Sequence, residues 1–204
     1  MISRFANLNA QRGLSLIELM ISIAISVLIL SSIGSLFIIG QKLVAERSKR
    51  ILVLQSMNDV MSLIKDDVHR AGFNDNSDSV LMLNHSVTSP QKLIQYTHNS
   101  IGYVYQNSNG EYIRRGFVFE EGNLKLCQAT DRHFIAKPCL NEHRRYFLFD
   151  EKRLKIIEFN IQLQPRLNSA NNHYLFRVSL TVALLDGSYQ QTLSVDVMPR
   201  NWEQ

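Results

Sequence analysis

The sequence predicts an α+β fold in which one long N-terminal helix packs on a β-rich head. Three observations carry that expectation. Residues 14–40 form an apolar run whose only formal charge is Glu18. From Leu54 to Ala71 the apolar side chains recur at helical spacing. Beyond Asn74 the pattern changes to short runs rich in β-branched and aromatic residues, separated by turn-forming clusters.

The first element is a membrane span. About 20 predominantly apolar residues cross a bilayer as a helix, and residues 14–40 exceed that length. A secretory signal peptide has a shorter apolar core followed by an Ala-x-Ala-like cut. Here Ser, Gly and Ala are scattered through a longer run, so no removal is expected after it. The expected cut lies before it, on the cytoplasmic side, where a basic leader (residues 1–13, with Arg4 and Arg12) ends in Gly13. A carboxylate at the bilayer centre costs about 2.5–3.5 kcal/mol on insertion scales, and intramembrane acids normally have a partner. For Glu18 that partner would be the ammonium released at Leu14 by the cut, four residues away on the same helix face, or the same group on a neighbouring subunit. Gly34 is a weak point in this helix, because Gly costs about 1 kcal/mol relative to Ala there.

The helical pattern continues past the span. Leu54, Met57, Met61, Ile64, Val68 and Ala71 step by three and four positions, and Asp59, Lys65, Asp66 and Asp67 lie mainly off that stripe. Residues 41–73 therefore read as an amphipathic helix whose stripe packs against the head, in preference to an intersubunit coiled coil. Gly72 reads as a left-handed stop, with Phe73 folding back toward Val68. A helix running from Leu14 to Ala71 would be about 87 Å long at 1.5 Å per residue.

Residues 74–204 form the head. After the polar cluster at 74–79, strands are expected at 80–83, 93–97, 101–105, 112–119, 123–127, 146–149 and 154–163. Two more, at 174–185 and 189–197, flank Asp186-Gly187-Ser188, a strong hairpin signal. The chain has 204 residues, 45% hydrophobic and 20% charged, which leaves enough beyond leader and span for one modest soluble domain. Its net charge of +4 is too small to imply a polyanionic partner.

Gly13 followed by Leu14-Ser15-Leu16-Ile17-Glu18-Leu19-Met20 resembles the class III signal of type IV pilins and type II secretion pseudopilins. The resemblance combines leader charge, Gly13, Glu18 and the long span. It departs in Leu14, where these families usually carry Phe, and in Ser35, near where many major pilins carry Pro. It implies a type IV pilin-like fold, cleavage by prepilin peptidase after Gly13, N-methylation of Leu14, and Glu18 as the assembly contact. Asp66 to Phe73, with its Arg70-Ala71-Gly72-Phe73 segment, and Pro199-Arg200-Asn201 are similar to PilW-type minor pilins. Membership of that group implies a single-pass inner-membrane protein with a periplasmic head, later a subunit at the pilus tip. Its implied partners are membrane lipid, other minor pilins, the major pilin and the inner-membrane assembly platform. The alternative within the class is a J-type minor pseudopilin of type II secretion; Glu18 argues against the K-type, which lacks that acid. Positive-inside counting runs against this topology, since Lys42, Arg47, Lys49 and Arg50 with one Glu46 outnumber Arg4 and Arg12. The motif outweighs the count, because the far flank continues a helix that packs in an assembly.

Cys127 and Cys139 read as a disulfide in an oxidising compartment. The competing reading is zinc, from the series Cys127, His133, Cys139 and His143, whose spacing is wider than familiar zinc motifs. The oxygen-rich stretch 74–79 suits calcium ligation but lacks the Gly and distant Glu of an EF-hand loop, which favours a solvated turn. No catalytic constellation stands out, and no cofactor or metal is expected. Direct DNA binding is a third functional reading, resting on Arg114-Arg115, Arg144-Arg145 and Lys152-Arg153 with Lys155, near Tyr112, Phe117, Tyr146 and Phe149.

Overall fold

A computed structural model describes residues 15–75, 80–83, 92–130, 144–165 and 174–200. One helix, α1 (Leu16–His69), passes Gly34 without a break. The chain divides into two compact units, one ending at Ser48 and one beginning at Lys49. In the first, every described residue is exposed, and the helix there is long and apolar enough to cross a membrane.

The second unit combines the end of α1 with two antiparallel sheets. The larger has the order β1-β2-β3-β4-β5, formed by β1 (Ile94–Thr97), β2 (Ser100–Gln106), β3 (Tyr112–Glu120), β4 (Asn123–Ala129) and β5 (Arg144–Phe147). The smaller is β6 (Leu154–Pro165), β7 (Tyr174–Leu184) and β8 (Gln190–Val197), in that order. Ile161 N–H donates to His98 O at 2.9 Å, tying β6 to the turn between β1 and β2. A register shift between Ile156 and Glu158 leaves Ile157 exposed, as expected where a bulge adds one unpaired residue.

Two expected strands are corrected. Residues 80–83 make only the isolated bridge between Leu83 and Lys92, although Leu81 and Leu83 are buried. The strand expected at 146–149 runs instead from Arg144 to Phe147. Leu148 N–H turns to Leu124 O at 3.1 Å, and Phe149 enters the core.

The core joins α1 to both sheets. Val53, Met57, Val60, Met61, Ile64, Val68 and Ala71 pack with residues such as Tyr103, Phe117, Phe176 and Leu180. The stripe thus packs on the head as expected, but it is rotated from the predicted one: Val53 is buried where Leu54 is 39% exposed. Asp67, expected off the stripe, is only 3% exposed. Its Oδ1 accepts a hydrogen bond from Arg115 Nη1 of β3 at 2.7 Å. Tyr103 Oη, Asp67 Oδ2 and Arg115 Nε are buried without hydrogen-bond partners among the described residues. Burial, and after it the Asp67 carboxylate, push the Tyr103 phenol well above its ordinary range.

Gly72 does adopt the left-handed conformation, at φ 78°. Phe73 N–H donates to Arg70 O at 3.0 Å, which places Gly72 at the turn position that requires positive φ. The turn lays the chain beside β2: Gly72 N–H donates to Val104 O and Gln106 N–H donates to Phe73 O, both at 2.9 Å. Phe73 consequently stays 47% exposed and does not fold back into the core beside Val68.

The predicted hairpin joins β7 to β8. Gly187, at φ 69°, donates to Leu184 O at 3.0 Å. Asp186 Oδ1 accepts from Ser188 N–H, and Asp186 Oδ2 lies 2.7 Å from Lys49 Nζ. Lys49, and then Ser188, hold the Asp186 carboxyl well below the usual carboxylate range. Arg50 sits 5.5 Å from the ring centroid of Tyr189. Two of the cations that disturb the positive-inside count therefore belong to the packing of α1 on the hairpin.

Candidate functional site

The chemistry expected of this chain is concentrated where α1 begins. Gly13 and Leu14 lie outside the described residues, and Glu18 lies within them. Ser15 precedes the first helical residue, Leu16, and Leu19 N–H donates to Ser15 O at 3.2 Å to close the first turn. Glu18 Oε2 accepts a hydrogen bond from Ser15 N–H at 3.0 Å. That is the reach-back half of a capping box, in which a Glu at the third helical position satisfies the N–H of the cap residue. The signal was present in the sequence as Ser15-x-x-Glu18. It gives the carboxylate a partner within its own helix, beside the positive end of the macrodipole. Glu18 Oε1 has no partner among the described residues and remains open to a second donor.

Beyond the cap, the polar atoms of the apolar segment are satisfied internally. Ser22 Oγ donates to Glu18 O and Ser26 Oγ to Ser22 O, both at 2.7 Å. Ser31 and Ser32 both donate to Leu28 O at 2.9 Å, and Ser35 donates to Ser31 O at 3.0 Å. In hydrocarbon every polar group needs a partner within the protein, and these hydroxyls find theirs one turn back. The serines scattered through the run are therefore compatible with a span.

Residues 8–34 match the prokaryotic N-terminal methylation motif, and residues 46–198 match the family described as prepilin peptidase-dependent protein B. The chain belongs to the prepilin peptidase-dependent protein B family. No curated protein and no solved structure matches it. The methylation motif covers Gly13, Leu14 and Glu18, and with the apolar helix it marks the chain as membrane-anchored. The family match covers the amphipathic half of α1 and most of the head, so this prepilin peptidase-dependent protein has the architecture of a pilin-like subunit. Pilin-like families are structural and not enzymatic.

The remaining candidates are placed as follows. Cys127 is 1% exposed on β4, packed with Val118, and no cysteine is free among the described residues. Cys139, His133 and His143 lie outside the described residues, as do positions 76–79 of the calcium reading. No group that would hold a metal ion occurs among the described residues. The basic pairs separate: Arg114 is 5% exposed and Arg115 is engaged by Asp67, so this pair presents no phosphate-binding face. Arg144, Arg145, Tyr146 and Phe147 are all exposed on the edge strand β5, and Arg153 lies 3.7 Å from Asp150.

Proposed function

We propose that this protein is a PilW-like minor pilin that takes part in initiating a type IV pilus and in forming its tip. Prepilin peptidase cuts the chain after Gly13, and Leu14 becomes the methylated N-terminus. The head then stands in the periplasm until the subunit leaves the membrane with other minor pilins and the major pilin on the assembly platform. The observation that carries this reading is Glu18: one carboxylate oxygen is bound to Ser15 N–H, and the other, without a partner among the described residues, supports a contact with an ammonium. The methylation motif over residues 8–34 supports a terminal amine as that donor.

Processing is tested at Gly13. A β-branched side chain at the residue before the cut blocks a pocket shaped for glycine, so Gly13→Val should accumulate as an uncut membrane-held precursor. Mass spectrometry of the N-terminus reads the result, and mature chains beginning at Leu14 in that variant would refute the assignment.

A bridge between Cys127 and Cys139 belongs to the same reading, because a periplasmic head meets an oxidising compartment. The burial of Cys127 and its lack of a free thiol support it. Closing a loop of this length contributes about 3 kcal/mol in the chain-entropy account. Cys127→Ser should lower the unfolding free energy by roughly that amount, and the unreduced wild-type protein should show no titratable thiol. Two reactive thiols before reduction would remove the bridge from the account.

A further inference from the structure

Where α1 ends, cationic side chains gather without ion-pair partners among the described residues. Lys65 precedes the last turn of α1, His69 ends it and Arg70 follows it, and Arg200 arrives after β8 to line the same cleft, of about 520 Å3, with Asp66 and Phe73. None of the charged side chains there forms an ion pair among the described residues. Lysine, arginine and histidine near a helix C-terminus offset its partial negative charge, which accounts for Lys65 and His69 on α1 and Arg70 just past it. It does not account for Arg200, which belongs to no helix or strand. Among the described residues, three full positive charges thus face a single carboxylate across one cleft.

We infer that this cleft docks a carboxylate-bearing segment of a neighbouring protein subunit. Guanidinium forks match carboxylates in geometry, and Arg70 and Arg200 supply two of them from independent parts of the chain. Phe73, 47% exposed, offers an apolar surface to the stem of an acidic side chain. Asp66 and the carbonyl end of α1 decide against a polyphosphate. Both repel a run of phosphates, whereas one or two carboxylates fit the excess positive charge. The filament reading supplies only the source of the segment; the anion preference stands apart from it and is tested apart from Gly13 processing.

The probe is hexaglutamate, added to the purified full chain in nonionic detergent at low salt. Binding to the folded state raises the melting temperature, and salt should weaken the effect because the charges are exposed. Arg70→Glu and Arg200→Glu should each weaken binding by about tenfold, the effect of roughly 1.4 kcal/mol on an equilibrium. Lys152→Glu, at an exposed cation outside the cleft, makes the same change in net charge and should leave binding intact. Arg200→Glu lies outside regular structure, so it remains informative if Arg70→Glu unfolds the end of α1. Equal stabilisation of wild type and both cleft variants, or no response of the wild type, would overturn the site. A single-stranded DNA oligonucleotide held more tightly than hexaglutamate through Arg70 and Arg200 would overturn the carboxylate partner in favour of a polyphosphate.

Discussion

Asp67→Ala is expected to destabilise the second unit by about 3 kcal/mol, the lower part of the range for breaking a buried ion pair. The Asp67 side chain is 4% exposed and that of Arg115 16%, so removal of the carboxylate strands a guanidinium that water reaches poorly. The lower figure applies because Arg115 keeps some contact with solvent. For a unit of this size each kcal/mol moves the melting temperature by about 2–4 °C, so a fall of roughly 6–12 °C should be seen when the β-sheet signal of the full chain is followed in detergent. Two companions separate the ion pair from mere packing. Tyr103→Phe deletes a hydroxyl that is buried without a partner and should be neutral or slightly stabilising. Asp67→Leu combined with Arg115→Met replaces the pair by apolar groups and should recover most of the loss. A change below about 1 kcal/mol in Asp67→Ala would mean that the pair does not hold α1 to β3.

The same pair leaves no mark in the local sequence. A carboxylate on a long amphipathic helix is assigned to solvent by default, and Asp67 stands beside Asp66, which is exposed. Its partner lies on β3 in the doublet Arg114-Arg115, which reads as a solvated basic pair. Nothing in the local pattern links these positions, because their contact is created by packing α1 across the sheet. Elements with their own periodicity were legible. Val178, Leu180 and Val182 alternate into the core on β7, and Asp186-Gly187-Ser188 carries its turn chemistry in the residues themselves. β5 was displaced because it is an edge strand with all four residues exposed, so no alternation marks its limits. Leu81 and Leu83 carry the pattern of a strand because burial alone supplies the same apolar spacing. At the functional end Glu18 was legible as an acid in an apolar run. The box it forms with Ser15 is equally written in the sequence, as Ser15-x-x-Glu18.

Glu18 caps the helix through Ser15 N–H, and the proposed function gives it a second, separable role in assembly. Its backbone role needs an acceptor oxygen, and its assembly role needs a charge. Glu18→Ala removes both, and the expected product is cut after Gly13, inserted and folded, yet recovered poorly with other minor pilins from cells bearing few surface filaments. Folding should persist because the loss of a cap weakens one helix end by about 1 kcal/mol, and the second unit packs without any contribution from residue 18. Glu18→Gln divides the roles: its amide oxygen can still accept from Ser15 N–H, but the charge is gone. A contact to a charged group contributes about 1.5–3 kcal/mol, so loss of the ammonium partner should reduce co-purification on the order of tenfold or more in both variants. Filament counts, recovery with partner subunits and the N-terminal mass would be measured together. If Glu18→Gln behaves as wild type while Glu18→Ala fails, the side chain acts as a cap and the docking role is lost. Normal piliation in both would remove Glu18 from assembly altogether.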